Sequence, residues 1–219
     1  MAESLTVLYT QHLRGNFILA AHLGRWLQVL RSQFASEMRV LLLDLGDASD
    51  PQSWHHRLTA GRSTLFILDA MGYHAINAEG TIDTEITLAI RAGFRLAILS
   101  PDCDWLDERS PGSIRCTVAQ RVKLAAGEAL GIQLNAAQQT VLDAGFLRLA
   151  EVPAAAVGRV QLRLQAHSAA IVEQETHPLP EHIQPEPSIA ATVDFVLAEA
   201  RQLTQRRDVP RPEIPAGNS

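Results

Sequence analysis

The side chains of this 219-residue chain that could do chemistry stand just beyond short apolar runs. His12 and Arg14 follow Leu5–Tyr9, in a loop that leads to Asn16. Asp47 follows Met38–Leu45, and Glu79 follows His74–Asn77. Carboxylates and imidazoles are donors for divalent cations. His12, Asp47 and Glu79 carry such donors, which allows one reading, cation chemistry. Arginine stays protonated and repels a cation. His12 with Arg14, next to the N-terminus of a helix opened by Asn16, defines a second reading, an anion site. In a third, Arg14 pairs with Asp47 or a neighbouring carboxylate and supplies positive charge.

Other reactive residues are expected to be bland. His55 and His56 are adjacent, and adjacent helical residues do not share a face, so both are expected at the surface. Asp102, Cys103 and Asp104 have no second cysteine at metal-site spacing and suggest a solvated loop. Cys103 and Cys116 are expected to stay reduced. Asp44, inside an apolar run, is expected to hydrogen-bond at the end of a sheet.

The elements that would position these groups alternate in type. Leu5–Tyr9 is rich in β-formers and reads as a strand. Phe17, Ala20, Ala21, Leu23, Leu27 and Leu30 recur at helical spacing up to Phe34, with Asn16 as cap. Met38–Leu45 is almost continuously apolar, which suits a strand covered on both faces. Trp54–Met71 reads as one helix closed by Gly72, His74–Asn77 as a short strand, and residues 81 or 83 to 93 as another helix. Phe94–Leu99 reads as a buried strand. The order implies an α/β architecture with right-handed crossovers. Further on, Pro101–Pro111 reads as loop, Val118–Leu130 as helix, and Thr140–Leu149, Val157–Gln165 and Ala169–Thr176 as strands. A Pro-rich connector, His177–Pro187, precedes a helix capped by Ser188 with Ile189, Val193, Val196 and Leu197 inward. One domain over residues 1–205 is expected, with a disordered tail over 206–219.

Composition narrows the function. The net charge is −5, and no Lys/Arg cluster exceeds Arg206-Arg207. A nucleic-acid footprint needs a basic stripe, so nucleic acid is not an expected partner. No apolar run approaches the ~20 residues of a membrane helix. The first residues lack a basic and an apolar signal region, so a cytoplasmic protein is expected.

Four segments in order carry a resemblance. Leu5–Gly15, LTVLYTQHLRG, is similar to the opening strand and loop of 5′-nucleotidase-type metallophosphoesterases of the calcineurin-like superfamily. Leu41–Ala48, LLLDLGDA, is similar to their L-L-L-D-x-G-D motif. Leu68–Asn77, LDAMGYHAIN, resembles the segment before G-N-H-E. Val157–Leu164 and Pro185–Ala191 resemble the closing strands and the P-D-P-E-V-A segment. The resemblance implies a shortened metallophosphoesterase-type β-sandwich flanked by helices. It also implies an activity, phosphate-ester hydrolysis by two divalent metals that activate a bridging hydroxide.

Residue by residue, the carry-over is poor. The D-x-H positions hold His12 and Arg14, Asp47 keeps its ligand position, and the G-N-H-E segment is Asn77-Ala-Glu-Gly-Thr81. The stretch that would carry the later histidines is short, and His167, His177 and His182 lie beyond it. The expectation is a domain that has lost its metal pair and needs no cofactor, serving a protein partner in binding, assembly or regulation. The alternative, on the ligand positions the resemblance implies, is a divergent phosphoric ester hydrolase with a rebuilt site near His12, Asp47 and Glu79 that holds one divalent ion weakly.

Overall fold

A computed structural model describes residues 3–34, 38–79, 82, 93–108, 112–120, 122–165 and 168–208. Strand β1 (Glu3–Thr10), helix α1 (Phe17–Ser32), β2 (Arg39–Asp44), the helices α2 (Trp54–Thr59) and α3 (Arg62–Met71), β3 (Ala75–Asn77) and β4 (Ala97–Leu99) form the first half. Eight described elements follow: β5 (Trp105–Asp107), β6 (Ser113–Thr117), β7 (Glu128–Ala137), β8 (Val141–Asp143), β9 (Phe146–Ala150), β10 (Ala156–Gln165), β11 (Ser168–Pro178) and α4 (Pro187–Asp208).

Two sheets face each other. The first has the order β11-β10-β1-β2-β3-β4, and the second β5-β6-β7-β9-β8. β1 to β4 run parallel, while β10 lies antiparallel to β1 with Glu3 opposite Leu164. The alternation of β2 shows why the middle of the strand, Val40–Leu43, is continuously apolar. Leu42 packs with Leu23, Leu27, Leu68 and Val196 on the helix side. Leu41 and Leu43 pack with Ile114, Leu130, Ile132 and Leu147 between the sheets. Burying a side chain of this size is worth roughly 1.5–3 kcal/mol, so β2 and its two coverings hold one another in place. On β1, the Tyr9 ring lies over Gly158 of β10, where a Cβ would stand 2.1 Å from a ring carbon. Only glycine fits there.

Several sequence expectations change. Trp54–Met71 is two helices, because Ala60 and Gly61 adopt left-handed backbone (φ 51° and 83°). Pro101–Pro111 contains the short strand β5. Val118–Leu130 is not helical where described. β7 begins at Glu128 after Gly127 (φ 94°), and pairing with β6 and β9 overrides the helix-forming composition. Thr140–Leu149 is a hairpin turning at Ala144-Gly145. Ser188 is not the cap of α4. Pro187 opens that helix, the Glu186 carbonyl accepts from Ala190 N, and Ser188 Oγ bonds Glu186 Oε1. α4 runs to Asp208, past the boundary expected at 205. The helix expected before Gly93 and residues 209–219 of the expected tail lie outside the described residues. Among the described residues, no helix is long and apolar enough to cross a membrane.

Candidate functional site

The loops after β1, β2 and β3 meet at the carboxyl ends of parallel strands, the usual place for a ligand in open α/β sheets. The first two are tied together by their backbones. Leu45 N donates to Thr10 O (2.9 Å), His12 N to Gly46 O (3.2 Å), Arg14 N to Asp47 O (3.0 Å) and Gly15 N to Ala48 O (2.8 Å). The price is backbone strain. His12, Arg14 and Asp47 all have positive φ, at 62°, 50° and 58°. Such geometry costs of order 1–3 kcal/mol per residue and clusters at functional sites.

This frame brings His12, Arg14 and Asp47 together. Asp47 Oδ2 accepts from His12 Nδ1 at 2.9 Å and from Arg14 Nε at 2.6 Å. Burial pushes the Asp47 carboxyl up, but hydrogen bonds from His12 and Arg14, and their charge, outweigh it and hold it below the usual carboxylate range. The cluster is open to water, with the Arg14 side chain 66% and the Asp47 side chain 37% exposed.

Asp44 lies beneath it, fully buried. It accepts from Gly46 N (2.9 Å) and Thr10 Oγ1 (3.2 Å), and Thr10 Oγ1 also lies 2.6 Å from Tyr73 Oη. Burial is the main cause that pushes its carboxyl up to about 7. Its two hydrogen bonds oppose the shift, and the charge of Asp47 adds to it. Asn77, at the end of β3, spends its amide on backbone. Nδ2 donates to Leu45 O (3.2 Å) and Leu134 O (3.1 Å), and Oδ1 accepts from Glu79 N (2.9 Å). Glu79 is exposed, and its carboxyl makes no ion pair among the described residues.

The remaining candidates fall elsewhere. His55 is not at the surface: it is 6% exposed, against Phe17 at 4.3 Å between ring centroids. A Cβ on Gly15 (φ 67°) would come within 2.9 Å of the His55 ring. Burial, and the charge of His56, hold its imidazole below the ordinary value. His56 is half-buried, with Nδ1 2.6 Å from Ser49 Oγ. The two rings have different partners, Phe17 for His55 and Ser49 for His56. Asp104 is bound by Arg115 at 3.0 Å, and both cysteines are free. His177 lies 3.2 Å from Glu175, His182 is exposed, and His167 lies outside the described residues.

Sequence reading missed three features: the tie between Asp44, Thr10 and Tyr73, the contact of Ser49 with His56, and the spent amide of Asn77. The paired threonine and aspartate at the ends of β1 and β2, opposite each other in register, were the only available signal for the first.

The sandwich, with its site at the ends of the parallel strands, matches solved structures across nearly its whole length. The chain has the calcineurin-like phosphoesterase fold. The calcineurin-like phosphoesterase YfkN from Bacillus subtilis aligns with TM-score 0.69 and 11% identity over 95% of this chain and 100% of that one. The sulfate thiohydrolase SoxB of Thermus thermophilus, in complex with glycerol, aligns with TM-score 0.65 and 13% identity over 90% of this chain. The chain spans 61% of SoxB. The NAD nucleotidase NadN of Haemophilus influenzae aligns with TM-score 0.58 and 12% identity over 94% of this chain and 68% of its own. No protein-family model and no curated protein sequence matches. At these identities the phosphoesterase likeness is one of fold, and chemistry rests on the side chains at the strand ends.

Proposed function

We infer that this is a phosphoesterase-fold domain working without the paired-metal clamp, as a non-catalytic binding, assembly or regulatory domain with a protein partner. One observation carries the reading: a single oxygen of Asp47 is held by both Arg14 and His12. Two cations a few ångströms apart need several open carboxylates and imidazoles. Here a guanidinium lies against the retained carboxylate, the Asn77 amide serves backbone carbonyls, and Asp44 lies buried below. Among the described residues, no three His, Cys, Asp or Glu side chains gather as a metal would require. This donor set does not fit a pair of divalent cations.

The test is elemental analysis of protein purified without chelator, together with hydrolysis of AMP and a generic aryl phosphate in added Mn²⁺ or Co²⁺. Well under one equivalent of metal and no rate above buffer are expected. Two tightly bound ions per chain, or a rate abolished by Asp47→Ala, would establish instead the divergent hydrolase built around His12, Asp47 and Glu79.

A further inference from the structure

His12 is held by one ring nitrogen and open at the other. Its Nδ1 lies 2.9 Å from Asp47 Oδ2, and its side chain is 31% exposed. Asp47 is held below the usual carboxylate range, so it accepts and Nδ1 donates. Nε2 bonds no described residue and is not a buried atom, so it faces solvent. A carboxylate on Nδ1–H fixes the tautomer and the ring, and turns the Nε2 lone pair outward. An imidazole presented in this way is a nucleophile. Other histidines are held differently. His22 Nδ1 faces the Ile18 carbonyl, His56 Nδ1 faces the Ser49 hydroxyl, and exposed His182 has no carboxylate partner among the described residues.

Arg14 indicates which electrophile suits the site. It gives Nε to the same Asp47 oxygen at 2.6 Å, so guanidinium and imidazole are immediate neighbours. Its terminal nitrogens bond no described residue, and the side chain is 66% exposed. A guanidinium matches the oxygens of a phosphoryl group and offers it charge. A phosphoryl group on Nε2 has its counter-charge within reach, whereas an acyl or alkyl group leaves Arg14 without a role. The backbone bonds of His12 N to Gly46 O and of Arg14 N to Asp47 O keep the three side chains in this order.

We propose that His12 Nε2 is a phosphoacceptor, modified by a donor of the phosphoramidate class, which includes the phosphohistidine of another protein. Nε2 attacks phosphorus and forms the new N–P bond. The donor's P–N bond breaks, and its nitrogen, already protonated, leaves as a neutral base with the electron pair. The Nδ1 proton stays on its hydrogen bond to Asp47. The product carries a dianionic phosphoryl group beside Arg14, a charge switch on the strand-end face. The inference rests on the reading of a regulatory domain without the metal pair, because a metal on Asp47 would take the carboxylate that orients His12.

The test treats the full chain, its metal content measured beforehand, with potassium phosphoramidate in chelator. Phosphorus NMR and mass spectrometry locate the label. An alkali-stable, acid-labile phosphoryl group should form on His12 about tenfold or more faster than on His182. Asp47→Asn should slow it about tenfold or more, since an amide can favour the wrong tautomer. Arg14→Met should also slow it, with labelling of His182 and the melting curve unchanged in both variants. In protein without bound metal, a label on Asp47 instead, labelling of His12 no faster than of His182, or an undiminished rate in both variants would each overturn the assignment alone. Two bound ions per chain would overturn the underlying reading and the assignment with it.

Discussion

At the start of β2, Arg39 enters the interior with 3% of its side chain exposed. It meets Asp107 of the second sheet at 3.0 Å and the Gly112 carbonyl at 3.1 Å. Just past the other end of the strand, Asp47 meets Arg14 at 2.6 Å with both groups in reach of water. Between them Asp44 is buried without a cation, held only by neutral hydrogen bonds. One strand thus shows three treatments of charge: an ion pair taken out of solvent, an ion pair left in it, and a buried acid whose carboxyl is pushed up to about 7. The difference lies in what each can contribute. A buried pair is expensive to break because the survivor is stranded, at about 3–5 kcal/mol. An exposed pair is worth roughly 0.2–1 kcal/mol. Arg39 and Asp107 therefore join the two sheets, whereas Arg14 and Asp47 mainly neutralise and orient a pair of loops.

The largest effect should come from Asp107→Leu. Urea unfolding should show a loss of about 3–5 kcal/mol, and the double variant Arg39→Met/Asp107→Leu should lose less than the single one. Glu3 lies 3.8 Å from Arg39. A loss below about 1 kcal/mol would mean that Glu3 compensates, and the contrast between the strand ends would fall.

Asp44 should give an effect of a few kcal/mol that depends on pH. Its folded value, about 7, is above the unfolded one, so the folded state binds more protons between about 4 and 7. This contribution is complete below about pH 4 and is lost as pH rises through 7. Asp44→Asn should raise the urea midpoint at pH 8 and have little effect at pH 5. Equal shifts at both values would show that Asp44 is ionised throughout.

The smallest effect belongs to Arg14. A double-mutant cycle of Arg14→Met and Asp47→Asn should give a coupling of about 0.2–1 kcal/mol that falls with salt. Because both groups are exposed, loss of Arg14 alone should not be much worse than loss of both. A coupling of several kcal/mol would place this pair with the buried one.

Much of this arrangement was legible in the residues. The apolar continuity of Leu41–Leu43 announced a strand covered on both sides, and the segments around His12 and Asp47 announced loops that adjoin. What escaped depends on partners far along the chain. Arg39 looks like an ordinary charge flanking a strand until Asp107, 68 residues away, is known to cover it. Ala125 to Leu130 has helix-forming residues, but neighbouring strands claim Glu128 onward. Gly61 was a visible break inside the expected second helix, and the apolar periodicity on both sides concealed it. The left-handed backbone of His12, Arg14 and Asp47 left no glycine to announce it, and Glu79 was placed with them by sequence order alone.

The position of β1 has a consequence for biosynthesis. Its two neighbours are β2, which follows within 40 residues, and β10, whose Leu164 lies opposite Glu3. While the chain is being made, β1 keeps one unpaired edge until β10, with Leu164 opposite Glu3, has followed it. Pairing over such a separation is slow, because the loop must close before any contact rewards it. For that interval Leu5 and Val7, fully covered in the finished fold, lie on a strand that lacks one neighbour. β1 is thus completed only when β10 docks, and the demand for chaperone cover falls on the stretch of chain between them.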